Sequence, residues 1–170
     1  TPLTDRCFRT FFTASQSFNG VCLEGPSATG KTETVKEFAK TTGKFLLVLN
    51  GSSLMDGKSA VRVLKGIASS GCWACFDEFN LIDPNVLSVI AQQLQRIQSA
   101  LSQGKQDFVF NGSLMKLRGN CTLFTTINSG FADTKELPEN VKFLFRATAV
   151  VEPDSQLILE TKLYCSGFQT

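Results

Sequence analysis

Apolar residues follow two rhythms along this chain. Short unbroken runs at Val21–Leu23, Phe45–Leu49, Cys72–Phe76, Cys121–Ile127 and Ala147–Val151 alternate with stretches where apolar residues recur every three or four positions. A strand buried on both faces reads as a continuous apolar run, whereas a helix buries one stripe at a period of about 3.6 residues. Helices are therefore predicted at Thr32–Lys40, with Val35, Phe38 and Ala39 on one face, and across Val61, Leu64, Ile67 and Ala68, ending near Gly71. A longer one carries Val86, Ile90, Leu94, Ile97 and Leu101 and ends near Gln103-Gly104. Asp83-Pro84 opens it as an N-cap followed by proline at the first helical position. Thr4–Phe18, Pro138–Phe145 and Ser155–Tyr164 also read as helices. Asn111-Gly112, between Phe108–Phe110 and Leu114–Leu117, is a hairpin signal, because this pair suits a turn with positive φ.

Five buried strands separated by helices predict an α/β fold, with a mainly parallel five-stranded sheet between helix layers and a small inserted β-hairpin. Ligands in such folds sit at the carboxyl ends of the strands. A length of 170 residues suits one domain spanning 1–170 with a sizeable core. Hydrophobic residues at 42% and charged residues at 19% mark a globular chain rather than a disordered one. The net charge of +2 gives no argument for a nucleic-acid or membrane partner, and no apolar run approaches a membrane span. The absence of an initiator Met and the ending at Phe168-Gln-Thr170 suggest a fragment of something longer, and no signal peptide opens it.

Candidate chemistry sharpens this outline at three places. Gly25-Pro26-Ser27-Ala28-Thr29-Gly30-Lys31-Thr32 fits G-x-x-x-x-G-K-[ST] and lies between a predicted strand and a predicted helix. Glycines let backbone N–H groups turn around phosphate oxygens, and the helix N-terminus adds partial positive charge. Lys31 brings a full charge to the β- and γ-phosphates, and the Thr32 hydroxyl is a candidate Mg²⁺ ligand. Asp77 and Glu78 end the Cys72–Phe76 run. Were both on one strand they would point differently, Asp77 to Mg²⁺ and its waters, Glu78 to the water in line with the γ-phosphate. Asn128 ends a third run, where it is either a turn former before Ser129-Gly130 or an amide that senses the γ-phosphate.

Arg146 is read as closing the helix after Pro138, either capping its carbonyls or acting as a finger toward a neighbouring subunit's nucleotide. The six cysteines include a C-x-x-C at Cys72 and Cys75. Zinc wants four N/S ligands, and the chain has no histidine and no second such pair. Two cysteines three apart on a strand point to opposite faces, so they are read as reduced core residues in a reducing compartment.

The combination resembles the dynein heavy chain family, at the first AAA+ module of its motor, with an axonemal flavour. The resemblance runs through Thr1-Pro-Leu-Thr-Asp-Arg6, the phosphate loop with Glu33-Thr34, Cys75-Phe-Asp-Glu-Phe-Asn80, Leu87-Ser-Val and Gln92-Gln93. It continues through Glu136-Leu-Pro-Glu-Asn-Val-Lys142, Leu144-Phe-Arg146 and Leu163-Tyr-Cys-Ser-Gly-Phe168.

It implies a P-loop three-layer sandwich, the large subdomain of an AAA+ module in a ring of six. It further implies ATP and Mg²⁺ at the loop and at Glu33, Pro2 and Leu3 near the adenine, and Arg146 as the finger serving the adjacent module. Catalysis would rest on Glu78, Asp77, Lys31 and Asn128. Implied partners are neighbouring AAA+ modules of the same heavy chain and, through other parts of it, dynein intermediate and light chains and microtubules. The implied setting is the cytoplasm and cytoskeleton, in a cilium or flagellum axoneme. Three departures stand out: Leu81 where the family usually has Arg, Ser129–Thr134 in place of Pro-Gly-Tyr-Ala-Gly-Arg, and Ser27-Ala28 for Ala-Gly. The altered loop after Asn128 motivates an alternative, a regulatory nucleotide-binding module with little hydrolysis.

Overall fold

The computed structural model describes residues 2–52, 55–129, 137–152 and 154–168. The elements run α1 (Pro2–Gln16), β1 (Gly20–Gly25), α2 (Lys31–Thr41), β2 (Leu46–Asn50), α3 (Gly57–Ser70) and β3 (Trp73–Asp77). A single 3₁₀ turn over Phe79–Leu81 leads into α4 (Pro84–Ser102), followed by β4 (Asp107–Phe110), β5 (Ser113–Lys116) and β6 (Leu123–Asn128). The described chain closes with α5 (Glu139–Lys142), β7 (Phe145–Ala149) and α6 (Ser155–Cys165).

The main sheet has the order β2-β3-β6-β1-β7, every neighbouring pair parallel, and β4-β5 form a separate antiparallel ribbon. Alternate strand residues feed two cores, one on each face of the sheet. Val21, Leu23, Trp73, Cys75 and Phe124 meet α1 and α2 on one face. Cys22, Ala74, Phe76 and Leu123 meet α3, α4 and the β4-β5 ribbon on the other. Phe38 of α2 centres the first core, its ring stacked 5.3 Å from Trp73 and lying 5.1 Å from Phe11. Cys75 lies in this core while Cys72, expected within the strand but placed just before β3, packs partly buried against the other.

Local chemistry accounts for the boundaries. Gly71 ends α3 in the left-handed region at φ 72°. Asp83 caps α4 by accepting from the Asn85 N–H, with Pro84 next. Asn111 and Gly112 both take positive φ, which is what the tight turn between β4 and β5 demands.

The largest departure from expectation follows Pro138. The segment after Pro138 was read as helical through Phe145, with a strand from Ala147. The helix spans only Glu139–Lys142, and the strand already begins at Phe145. Pairing with β1 takes precedence over local pattern, with Gly20 opposite Phe145 and the Gly20 N–H donating to the Leu144 carbonyl at 3.0 Å. Arg146 is thus an exposed strand residue opposite Val21 rather than the last residue of a helix.

Candidate functional site

Three carboxyl-end features of adjacent strands converge here: the loop after β1, the acids after β3 and the amide closing β6. The loop turns on Ala28 and Gly30, both at positive φ, and delivers Lys31 and Thr32 into the first turn of α2. Gly25 is needed for close approach, because a Cβ there would strike the Val150 carbonyl across the sheet. Lys31 is 6% exposed, and its ammonium donates to the carbonyls of Gly25 at 3.0 Å and Pro26 at 2.5 Å. Burial lowers its pKa below the usual lysine range, opposed by the negative charges of Asp77 and Glu78.

The Thr32 hydroxyl donates to Asp77 Oδ1 at 2.7 Å. Both are hard oxygen donors side by side at a strand end, a set that fits Mg²⁺, which takes one or two protein oxygens and fills its remaining positions from phosphate and water. Glu78 does not continue the strand. It adopts φ 54°, ψ 47°, a left-handed conformation uncommon outside glycine. This bend separates the two carboxylates: Asp77 stays beside Thr32, and Glu78 turns toward β6, where Asn128 Nδ2 donates to its Oε1 at 2.9 Å.

Two further residues, not singled out from the sequence, hold this arrangement. The buried Thr126 hydroxyl donates to Asp77 Oδ1 and accepts from the Glu78 N–H at 3.0 Å. Gly51 follows β2 and donates its N–H to the Asp77 carbonyl at 2.6 Å. A Cβ on Gly51 would overlap the Glu78 carbonyl. Thr126 had a readable signal, since it lies two residues before Asn128 and so shares its strand face.

A cavity of about 140 Å³ opens beside the loop, lined by Leu3, Thr4, Arg6, Cys7, Thr29, Thr34 and Ala149–Val151. It joins the first helix to the end of β7, with Leu3 and Thr29 both in its wall. Pro2 and Glu33 do not line it, and Glu33 instead pairs with Lys36 at 2.5 Å on an exposed helix face. Arg146 is remote from all of these groups. It sits opposite Val21, four residues before Gly25, hence roughly 13 Å back along the strand direction.

Comparison with known proteins carries the site further. Residues 1–170 match the family described as "Hydrolytic ATP binding site of dynein motor region". The chain belongs to this dynein motor family. Among its relatives, Dynein axonemal heavy chain 3 of Homo sapiens is 48% identical over 168 residues, 99% of this chain and 4% of the relative. Dynein axonemal heavy chain 2 of Mus musculus is 49% identical over 168 residues, again 99% of this chain and 4% of the relative. Dynein axonemal heavy chain 5 of Rattus norvegicus is 45% identical over 169 residues. The chain thus spans about a twentieth of the length of these relatives. A crystal structure of a candidate ATPase from Cytophaga hutchinsonii superposes with a TM-score of 0.66 at 16% identity, covering 96% of this chain and 51% of that one. That likeness speaks for the fold alone, a parallel α/β sheet between helix layers.

Within the family, two departures acquire a structural setting. Leu81 is 49% exposed on the turn after Glu78, so the apolar side chain faces outward at the site's edge. Ser129 donates its backbone N–H to the Gly25 carbonyl at 3.0 Å, a bond that the family's usual proline cannot make. Thr134 and the rest of segment 130–136 lie outside the described residues, as do Thr1 and Glu136.

Proposed function

We propose that this chain is the ATP-hydrolysing module of an axonemal dynein heavy chain, working in the motor ring that drives microtubule-based movement in a cilium or flagellum. The observation that carries this reading is the division of labour at the end of β3. Asp77 is bonded to Thr32 of the phosphate loop, and Glu78 is turned away from it and held by Asn128. ATP phosphates bind along Gly25–Thr32, with the backbone amides and Lys31 meeting their charge. Lys31 exchanges its two carbonyl partners for phosphate oxygens, a trade favoured by the full charge on both sides.

Thr32 and Asp77 would hold Mg²⁺, which would supply neutralisation of phosphate charge. The Glu78 carboxylate accepts the proton of the attacking water. Asn128 orients that carboxylate and responds when the γ-phosphate leaves. The adenine lies against Leu3 in the cavity beside Thr29. Arg146, set back along β7 from the phosphate loop, serves the adjacent module, so neighbouring AAA+ modules of the same heavy chain are required partners. Intermediate chains, light chains and microtubules meet other parts of that chain.

The test is Glu78→Gln in the complete motor. The variant should bind ATP and hold it unhydrolysed; turnover at the wild-type rate would remove Glu78 from the role. A second reading, a regulatory module that binds nucleotide and barely hydrolyses it, draws on Leu81 standing where the family has a cation. Single-turnover hydrolysis in the assembled ring separates the two.

A further inference from the structure

The least expected part of the site is the side chain that touches both acids at once. Thr126 is 1% exposed and lies on β6, one strand away from β3. A hydroxyl has one proton to give and lone pairs to accept with. Thr126 gives its proton to Asp77 Oδ1 and accepts the Glu78 N–H at 3.0 Å. The Thr32 hydroxyl converges on the same Oδ1 at 2.7 Å. Two donors on one oxygen fix the carboxylate's rotation and leave its second oxygen for a cation or a cation-bound water. The accepted N–H belongs to the residue at φ 54°, ψ 47°, the bend that sends the Glu78 side chain toward Asn128.

We propose that Thr126 is a positioning residue that couples the two acids: through one hydroxyl it sets the rotation of the metal-binding carboxylate and anchors the backbone that aims the base. This rests on the functional reading above. A purely structural role makes the opposite forecast. Valine has the same shape as threonine without the hydroxyl, so if Thr126 only fills space in the sheet, valine is neutral or mildly stabilising there.

The experiment compares Thr126→Val and Thr126→Ser in the complete motor by two readouts. The first is affinity for a fluorescent ATP analogue, measured in EDTA and again in Mg²⁺, which reports the cation's contribution without any turnover. The second is single-turnover hydrolysis. For Thr126→Val, binding in EDTA should match wild type. The tightening brought by Mg²⁺ should fall about tenfold, the effect of losing a hydrogen bond to a charged group. Hydrolysis should fall by about tenfold or more. Thr126→Ser, which keeps the hydroxyl and drops the methyl, should restore both.

If the valine variant does not fold, Thr126→Cys, with a much weaker donor, stands in with the same expectation. Wild-type Mg²⁺ tightening and turnover in the valine or cysteine variant would overturn the proposal. So would a serine variant as impaired as valine, which would assign the effect to packing. Absence of Mg²⁺ tightening in the wild-type motor would instead count against the functional reading itself.

Discussion

Raising the pH from 8 to 10 should strip this chain of a large share of its stability, and the loss should come from buried thiols. Cys22 and Cys75 are pushed up to about 12 and Cys121 to about 11, in each case chiefly by desolvation, against 9.0 for an unburied thiol. A raised folded pKa means that the folded state keeps a proton the unfolded state has released. The stability is therefore complete below pH 9 and drains away as the pH climbs through the folded values. At pH 10 an unfolded thiol with a pKa of 9.0 gains about 1.4 kcal/mol from ionising, and three of them give about 4 kcal/mol.

Lys31 works in the other direction, because its lowered pKa makes stability rise with pH, so it offsets part of the loss. Typical domains have about 5–15 kcal/mol in total, so the decline should be obvious. Urea unfolding under reducing conditions at pH 8 and pH 10 measures it. Cys75→Ala should shrink the loss by about 1.4 kcal/mol while costing some packing at both pH values. A midpoint that stays level to pH 10, or rapid alkylation of Cys75 in the folded chain at pH 9, would refute the reasoning. Either result would also reopen a reactive role for the C-x-x-C.

Two more substitutions probe the scaffold of the site. Phe38→Ala removes a ring 4.9 Å from Phe12 and 5.0 Å from Phe8, both on the helix that lines the cavity. It should cost about 4 kcal/mol by urea unfolding and weaken ATP binding; a cost under about 2 kcal/mol would show that the aromatic cluster closes over the gap. Gly51→Ala places a methyl against the Asp77 and Glu78 carbonyls. Single-turnover hydrolysis in the complete motor should drop by about 100-fold with ATP binding retained, and unchanged hydrolysis would mean that β2 yields without moving the acids.

Much of the site was legible because its signals are local. The phosphate loop is contiguous, Asp77 and Glu78 are adjacent, and Asn111-Gly112 carries its own turn chemistry. Arg146 was misplaced because the start of β7 is set by pairing with β1, more than a hundred residues earlier in the chain. Thr126 was passed over because a β-branched residue in a buried strand reads as packing; its hydroxyl matters only once β3 is known to lie alongside. The cavity beside Leu3 had no local pattern to announce it and only the resemblance pointed there, since it brings α1 together with Val150 at the end of the edge strand β7. Helix α6 formed where its pattern indicated, yet none of its side chains is buried within the described residues.

The left-handed backbone at Glu78 separates chemistry from conformation. Glutamine at this position carries the same β-carbon and meets the same steric penalty, so it changes the carboxylate and nothing about the bend. Glycine would do the reverse, welcoming the bend while discarding the side chain. A pair of variants at one position can thus ask two independent questions. The first is how much of the rate belongs to the proton acceptor. The second is how tightly the surrounding strands, rather than the residue's own preference, dictate the path of the chain as it leaves the sheet.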